Sequence, residues 1–207
     1  MKSVRYLLYI VLFAVSAIIP SSGKAQISLD SYYNVDWQFN TPLSNKFSDV
    51  ASGWGMNFEG GYYVTENLSV GAFLTYHSNH KYIPRQTLNL SGTESLNTDQ
   101  QHTLFQMPFG VSGRYTFNRE GMLQPYFSLK LGPQYGRLKT DFNAYQNTDN
   151  TWGFYVSPEI GMNIFPWVYQ PGIHVAAYYS YATNKGSVMT YDVNGMSNFG
   201  LRLGIAF

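Results

Sequence analysis

The chain has 207 residues, enough for one domain, and only 12% of them are charged, about half the usual share of roughly 25% in soluble domains. A formal net charge of +1 gives no basis for binding nucleic acid, and the absence of cysteine excludes disulfides, thiolate metal sites and cysteine nucleophiles. Aromatics reach 17%, yet mean hydropathy is only −0.21, far below that of a helical membrane protein. Lys2 and Arg5 precede an apolar run over residues 6–19, which is too short to span a bilayer comfortably as a helix of about 20 residues. Small residues then lead to Ala25. This order predicts a secretory signal peptide over 1–25, cleaved before Gln26, and a mature domain over 26–207.

From residue 27 onward the pattern has period two. Residues 27–40 place Tyr33, Val35, Trp37 and Phe39 on one face and Asn34, Asp36 and Gln38 on the other. That run is longer than a typical soluble strand of about 5–6 residues. A polar loop over 41–52 follows, then a strand over 53–64 with Trp54, Met56, Phe58 and Tyr62 opposite Asn57, Glu59 and Gly61. A tight turn leads into strand three, 68–78, and residues 79–101 read as a long polar loop. Strand four, 102–117, contains Pro108 on its polar face, which lacks an N–H and predicts a bulge or local break. Strand five covers 124–138, with Pro133 a second irregularity. A loop over 139–151, strand six over 152–164, strand seven over 173–183, a loop over 184–197 and a last strand complete the chain. Connections therefore alternate long and short. Trp37, Phe39, Trp54, Trp152, Tyr179 and Tyr181 fall near the long connections, and Tyr62, Phe117, Trp167, Tyr169 and Phe207 near the short ones. Two aromatic belts flanking apolar strands are expected of a membrane barrel.

Alternation alone does not say which face is inside. A soluble ligand-binding barrel would turn the apolar face inward and need a charged exterior. Here the polar face is poor in charge and rich in glycine, as a narrow filled lumen requires, so the apolar face points to lipid. The prediction is an all-β fold, an eight-stranded antiparallel up-and-down transmembrane β-barrel.

The final strand ends Phe199, Leu201, Leu203, Ile205 and Phe207 on one face, with Gly200, Arg202, Gly204 and Ala206 on the other. These residues resemble the C-terminal strand of the OmpA/OmpX-like group of small outer-membrane barrels. In that group a terminal Phe after alternating apolar residues is the signal read by the barrel-assembly machinery. The resemblance implies export to the Gram-negative outer membrane, contact with outer-membrane lipid and lipopolysaccharide, and structural or surface-interaction roles. Surface ligands would then meet the loops 41–52, 79–101, 139–151 and 184–197.

Counting along the strands puts Glu59, Lys130, Glu159 and Arg202 at one depth, with Lys130 and Glu159 on neighbouring strands and Glu59 facing Arg202. Asp30, Asp36 and Arg114 add outer layers. Two acids and two bases at one level can neutralise each other, as buried charges must. This reads as a plug filling the lumen; the alternative is a gate for a narrow pore. Some small outer-membrane barrels modify lipids with a His, a Ser and a carboxylate. Here His77 and Ser78 are adjacent and point to opposite faces, while His80, Ser91 and His102 show no such spacing. No catalytic residue, cofactor or metal is expected on these patterns; His77 and His80 alone make a weak metal site.

Overall fold

The computed structural model describes residues 31–43, 47–91, 94–142, 145–166, 171–188 and 191–207. The predicted signal peptide, Asp30, Trp167 and Tyr169 lie outside them. Eight strands follow in order: β1 Ser31–Pro42, β2 Trp54–Tyr63, β3 Leu68–Ser91, β4 Glu94–Thr116, β5 Leu123–Phe142, β6 Tyr145–Ile164, β7 Gly172–Val188 and β8 Tyr191–Ala206. Each pairs antiparallel with its sequence neighbour, and β1 pairs with β8 to close the barrel. At the closure Tyr33 and Phe207 exchange two backbone hydrogen bonds, of 3.1 and 2.8 Å.

The faces fall as the alternation predicts. Trp54 is 77% exposed and Leu203 53%, while Asp36, Lys130 and Arg114 are fully buried. Apolar side chains thus cover the outside and polar ones fill the middle, the reverse of a soluble barrel. Glycines make the filling fit. A Cβ at Gly61 would lie 2.8 Å from the Tyr32 ring, and one at Gly161 would lie 2.6 Å from the Tyr126 hydroxyl. Inward tyrosines therefore lie flat over bare backbone on neighbouring strands.

Pro108 faces the lumen, and the β3–β4 ladder skips the two pairs between Leu74↔Phe109 and His77↔Gln106 without changing register. The irregularity is a gap. The β4–β5 ladder skips in the same way between Pro108↔Gln134 and Val111↔Leu131.

Three expected loops are replaced by strand. Residues 79–101 continue the β3–β4 ladder as far as Ser91↔Glu94. Residues 139–151 continue β5–β6 to Phe142↔Tyr145, and 184–197 continue β7–β8 to Val188↔Tyr191. Along these extensions the outward side chains meet water rather than lipid, so the apolar–polar alternation that marks a membrane strand fades although the backbone ladder persists. Shifts in register at Ile83/Gln86, Asn89/Ser91 and Ala182/Lys185 bend these extensions. Of the fourth expected loop, 41–52, Thr41 and Pro42 belong to β1, and the described residues 47–52 lie outside the named strands, tied to β1 by the Asn40↔Ser52 bridge.

This connection also corrects the expectation of a wholly polar lumen. Phe47, only 1% exposed, packs with Leu104, Leu138, Val188, Val193 and Met196 in an apolar cluster inside the outer half of the barrel. Its ring stacks on His102 at 4.3 Å and meets the edge of Tyr191 at 6.1 Å. The outer half of the interior behaves as an ordinary hydrophobic core, sealed from water by a loop residue.

Candidate functional site

In the span, period-two geometry sends inward the even positions of β1, β4, β5, β7 and β8 and the odd positions of β2, β3 and β6. Those positions bring together three carboxylates, Asp36, Glu59 and Glu159, and three cations, Arg114, Lys130 and Arg202, all buried.

Lys130 bridges the two glutamates, with Nζ 2.7 Å from Glu59 and 3.0 Å from Glu159. Glu59 also receives the Arg114 guanidinium at 3.0 Å and the Tyr32 hydroxyl at 2.9 Å. Glu159 accepts from Arg202 and, at 2.6 Å, from the Tyr126 hydroxyl. Arg202 Nε donates to Gln38 at 2.9 Å. Asp36 accepts from Asn57 at 2.7 Å and pairs with His174, whose other ring nitrogen lies 2.5 Å from the Tyr126 hydroxyl. A continuous polar chain thus runs from Asp36 through His174, Tyr126 and Glu159 to Lys130 and Glu59.

Aromatic faces complete the seating of the cations. The Arg114 guanidinium lies between the rings of Tyr32 and Tyr126, 4.0 and 3.8 Å from their centroids, and Arg202 lies 4.3 Å over Tyr178. Phe73, 5.9 Å from Lys130 Nζ, and Tyr155 roof the layer on the side of the apolar cluster. Every strand contributes a side chain to this cross-section. With three carboxylates set among three cations, the layer lowers the cost of holding ions away from water, and it also occupies the bore.

The four residues singled out in sequence do meet, but Glu59 and Arg202 are not partners: Arg202 takes Glu159, and Glu59 takes Arg114. Depth counted along the chain ignores the tilt and stagger of strands around a barrel, which displace equal counts to different heights. For the same reason Arg114 reaches into the layer and does not form a separate one. Tyr126, Tyr178 and His174 were missed. Tyr126 shares the parity of Ser128 and Lys130, a pattern that marks it as inward despite its aromatic ring.

The histidines and serines considered for lipid chemistry disperse. His77 is buried and lies 3.2 Å from Gln38, Ser78 and His80 face outward, and His102 bonds the Phe47 carbonyl at 2.8 Å. Among the described residues no group of three or more His, Asp or Glu could hold a metal ion. On β8, Phe199, Leu201, Leu203 and Ile205 lie on the exposed outer face, and Phe207, just past its end, is exposed as well.

The sequence profile of the outer membrane protein beta-barrel domain matches residues 9–207. The chain belongs to this outer-membrane β-barrel family. Its place is accordingly the Gram-negative outer membrane, crossed by strands. No curated protein matches the chain significantly. Among solved structures, Ail, the attachment invasion locus protein of Yersinia pestis, in complex with the heparin analogue sucrose octasulfate, is similar at 13% identity and TM-score 0.45, covering 86% of this chain and 98% of that one. Neisserial surface protein A is similar at 16% identity and TM-score 0.45, over 85% and 95%. The outer membrane protein OprG from Pseudomonas aeruginosa is similar at 12% and 0.43, over 86% and 94%.

Proposed function

We propose that this outer-membrane barrel is non-catalytic, that its lumen is closed, and that it works through the β-hairpins it raises above the membrane, in envelope structure or surface interaction. The observation that carries this reading is the double closure of the bore: an ion-paired layer of Asp36, Glu59, Glu159, Arg114, Lys130 and Arg202, and beyond it an apolar cluster capped by Phe47. A protein built for passage has no use for two unlike seals in series. The exposed hairpin extensions β3–β4, β5–β6 and β7–β8 remain as the working surface.

Planar-bilayer recording of the refolded chain tests the closure. The expected outcome is no large steady conductance; large steady conductance would overturn the reading. A gated pore is the second reading, favoured by Lys130 being shared between Glu59 and Glu159, so that either contact can break while the other holds. On that reading Lys130→Ala raises conductance.

The same proposal takes residues 1–25 as the export signal, tested by whether the protein isolated from outer membranes begins at Gln26. It takes Phe199, Leu201, Leu203, Ile205 and Phe207 as the strand presented to the assembly machinery. Contact with outer-membrane lipid follows from the exposed apolar belt.

A further inference from the structure

Just outward of the ion pairs, five buried side chains close a ring across the bore: Gln38 on β1, His77 on β3, Gln106 on β4, and Asn198 and Arg202 on β8. Gln38 and Arg202 are ladder partners, and Arg202 Nε donates to Gln38 Oε1 at 2.9 Å. Gln38 Nε2 reaches over β2 to His77 Nδ1 at 3.2 Å. Gly55 on β2 lets it pass; a Cβ there would stand 2.9 Å from His77 Cβ and 3.2 Å from the Gln38 carbonyl oxygen. His77 is opposite Gln106 on the β3–β4 ladder. Gln106 Oε1 accepts from Asn198 across the bore at 3.3 Å and from Gln134 on the next strand at 3.0 Å. Gln134 also reaches the Met196 sulfur at 3.6 Å, so the apolar cluster bounds the ring on its outward side.

The bonds dictate where the protons lie. Gln38 Oε1 accepts from Arg202, so Gln38 Nε2 donates to His77 Nδ1. His77 is then the neutral tautomer with its proton on Nε2. That Nε2–H has no acceptor among the described residues. Nor has Gln106 Nε2, or Arg202 Nη2, whose sister nitrogens go to Gln38 and Glu159. Three buried donors from β3, β4 and β8 thus belong to one ring, each carrying the cost of a bond not made. The charge count points the same way. The single Tyr126 proton goes to Glu159, so His174 Nε2 donates to the Tyr126 oxygen. The bond between His174 Nδ1 and Asp36 needs a further proton, and on whichever of the two it sits, that pair is neutral as a whole. Glu59 and Glu159 then stand against Arg114, Lys130 and Arg202. The buried ionic groups among the described residues carry one positive charge in excess.

We propose that the ring binds a buried monovalent anion, a halide such as chloride, held by Arg202 Nη2, His77 Nε2–H and Gln106 Nε2. A halide accepts from several N–H groups at once and donates none, and one such ion cancels the excess charge. Water is the competing occupant, because Gln134 Oε1 accepts nothing among the described residues and could take a proton from it. Water would answer the donors and leave the charge. With ion pairs on one side and the apolar cluster on the other, the anion is taken up as the barrel closes and released when it unfolds.

Crystals of the refolded barrel soaked in bromide test the site directly. An anomalous peak is expected between Arg202, His77 and Gln106. No bromide peak there overturns the proposal in favour of water. So does a peak without any halide effect in solution, which marks binding at crystal concentration only. The solution measurement is equilibrium unfolding in urea at constant ionic strength, with chloride exchanged for gluconate. The unfolding constant should fall about ten-fold for each ten-fold rise in chloride above the dissociation constant. Identical unfolding in the two salts overturns the proposal without any variant. His77→Leu and Gln106→Leu should each move the dependence to chloride concentrations higher by about ten-fold or more, the loss of one buried bond to a charged group. His80→Gln, on the outward face, should leave it unchanged. An unaltered chloride dependence in variants that keep the heat-dependent gel shift of a closed barrel also overturns the proposal, by placing the ion elsewhere. If neither variant folds, the bromide map and the salt comparison on the unaltered barrel decide. None of these outcomes bears on the closure of the bore, which the conductance recording tests separately.

Discussion

Glu159 is one of the two residues on which the interior balance turns: it receives Lys130, Arg202 and Tyr126, as Glu59 receives Lys130, Arg114 and Tyr32. Glu159→Gln keeps the shape but leaves two buried cations short of one counter-charge. A loss of about 3–5 kcal/mol is expected, read as a lower urea midpoint for the barrel in lipid or detergent. The acids and bases themselves were readable in the sequence, because a charge on the polar parity of a membrane strand has nowhere else to go. Their partners were not, because partner choice depends on stagger, and stagger is a property of the closed sheet.

His102 makes a second residue-level prediction, this one outside the membrane. Burial against Phe47 and Tyr191 holds its imidazole below the usual range. The folded cap therefore takes up a proton less readily than the unfolded chain. The cap's stability is complete above about pH 6.5 and declines as pH falls through and below that value. Hydrogen exchange in the 47–52 segment, corrected for its intrinsic pH dependence, should speed up on acidification. His102→Phe should flatten the response. A rate independent of pH in the unaltered protein would remove His102 from this role.

At the level of elements, the strands inside the bilayer were legible and their extensions were not. Lipid on one side and a polar side-chain filling on the other impose alternation on residues such as Val35 to Phe39 and Phe199 to Phe207. In residues 79–101 the outward side chains meet water rather than lipid, and inward ones such as Asn79, Thr98 and Gln100 are polar, so their composition reads as loop even where the backbone keeps its ladder. The extension is separable from the barrel. Tyr82 and Gln101 are paired, so replacing residues 83–100 with Asn-Gly joins them through a two-residue turn. Such a chain should still fold and shift on gels with heat, while losing surface contacts made through that hairpin. If every surface interaction survives the excision, the β3–β4 hairpin is not the working surface.

For the whole molecule, orientation of the two faces decides the environment, and its cost can be mapped. Leu203 lies outward in the belt, and Leu203→Arg should cost about 2–4 kcal/mol in a bilayer. Gln101 also faces outward, on the extension, and Gln101→Arg should cost close to nothing. Equilibrium unfolding in lipid vesicles compares the two. Equal costs would place the membrane boundary elsewhere. What the sequence could not convey at this scale is the apolar core of the outer half. Leu104, Leu138, Val188 and Val193 come from four strands, and Phe47 from a connection that reads as a polar loop.

The seam between β1 and β8 has a temporal consequence. While the barrel assembles, β1 has β2 on one side and no mate on the other until β8, the final strand, arrives. Until that segment arrives, the growing sheet has two raw borders, each able to stick to another chain. A polypeptide of this topology cannot complete itself piecemeal. It must be kept apart from its siblings until β8 is available, and then it must zip shut in one late event.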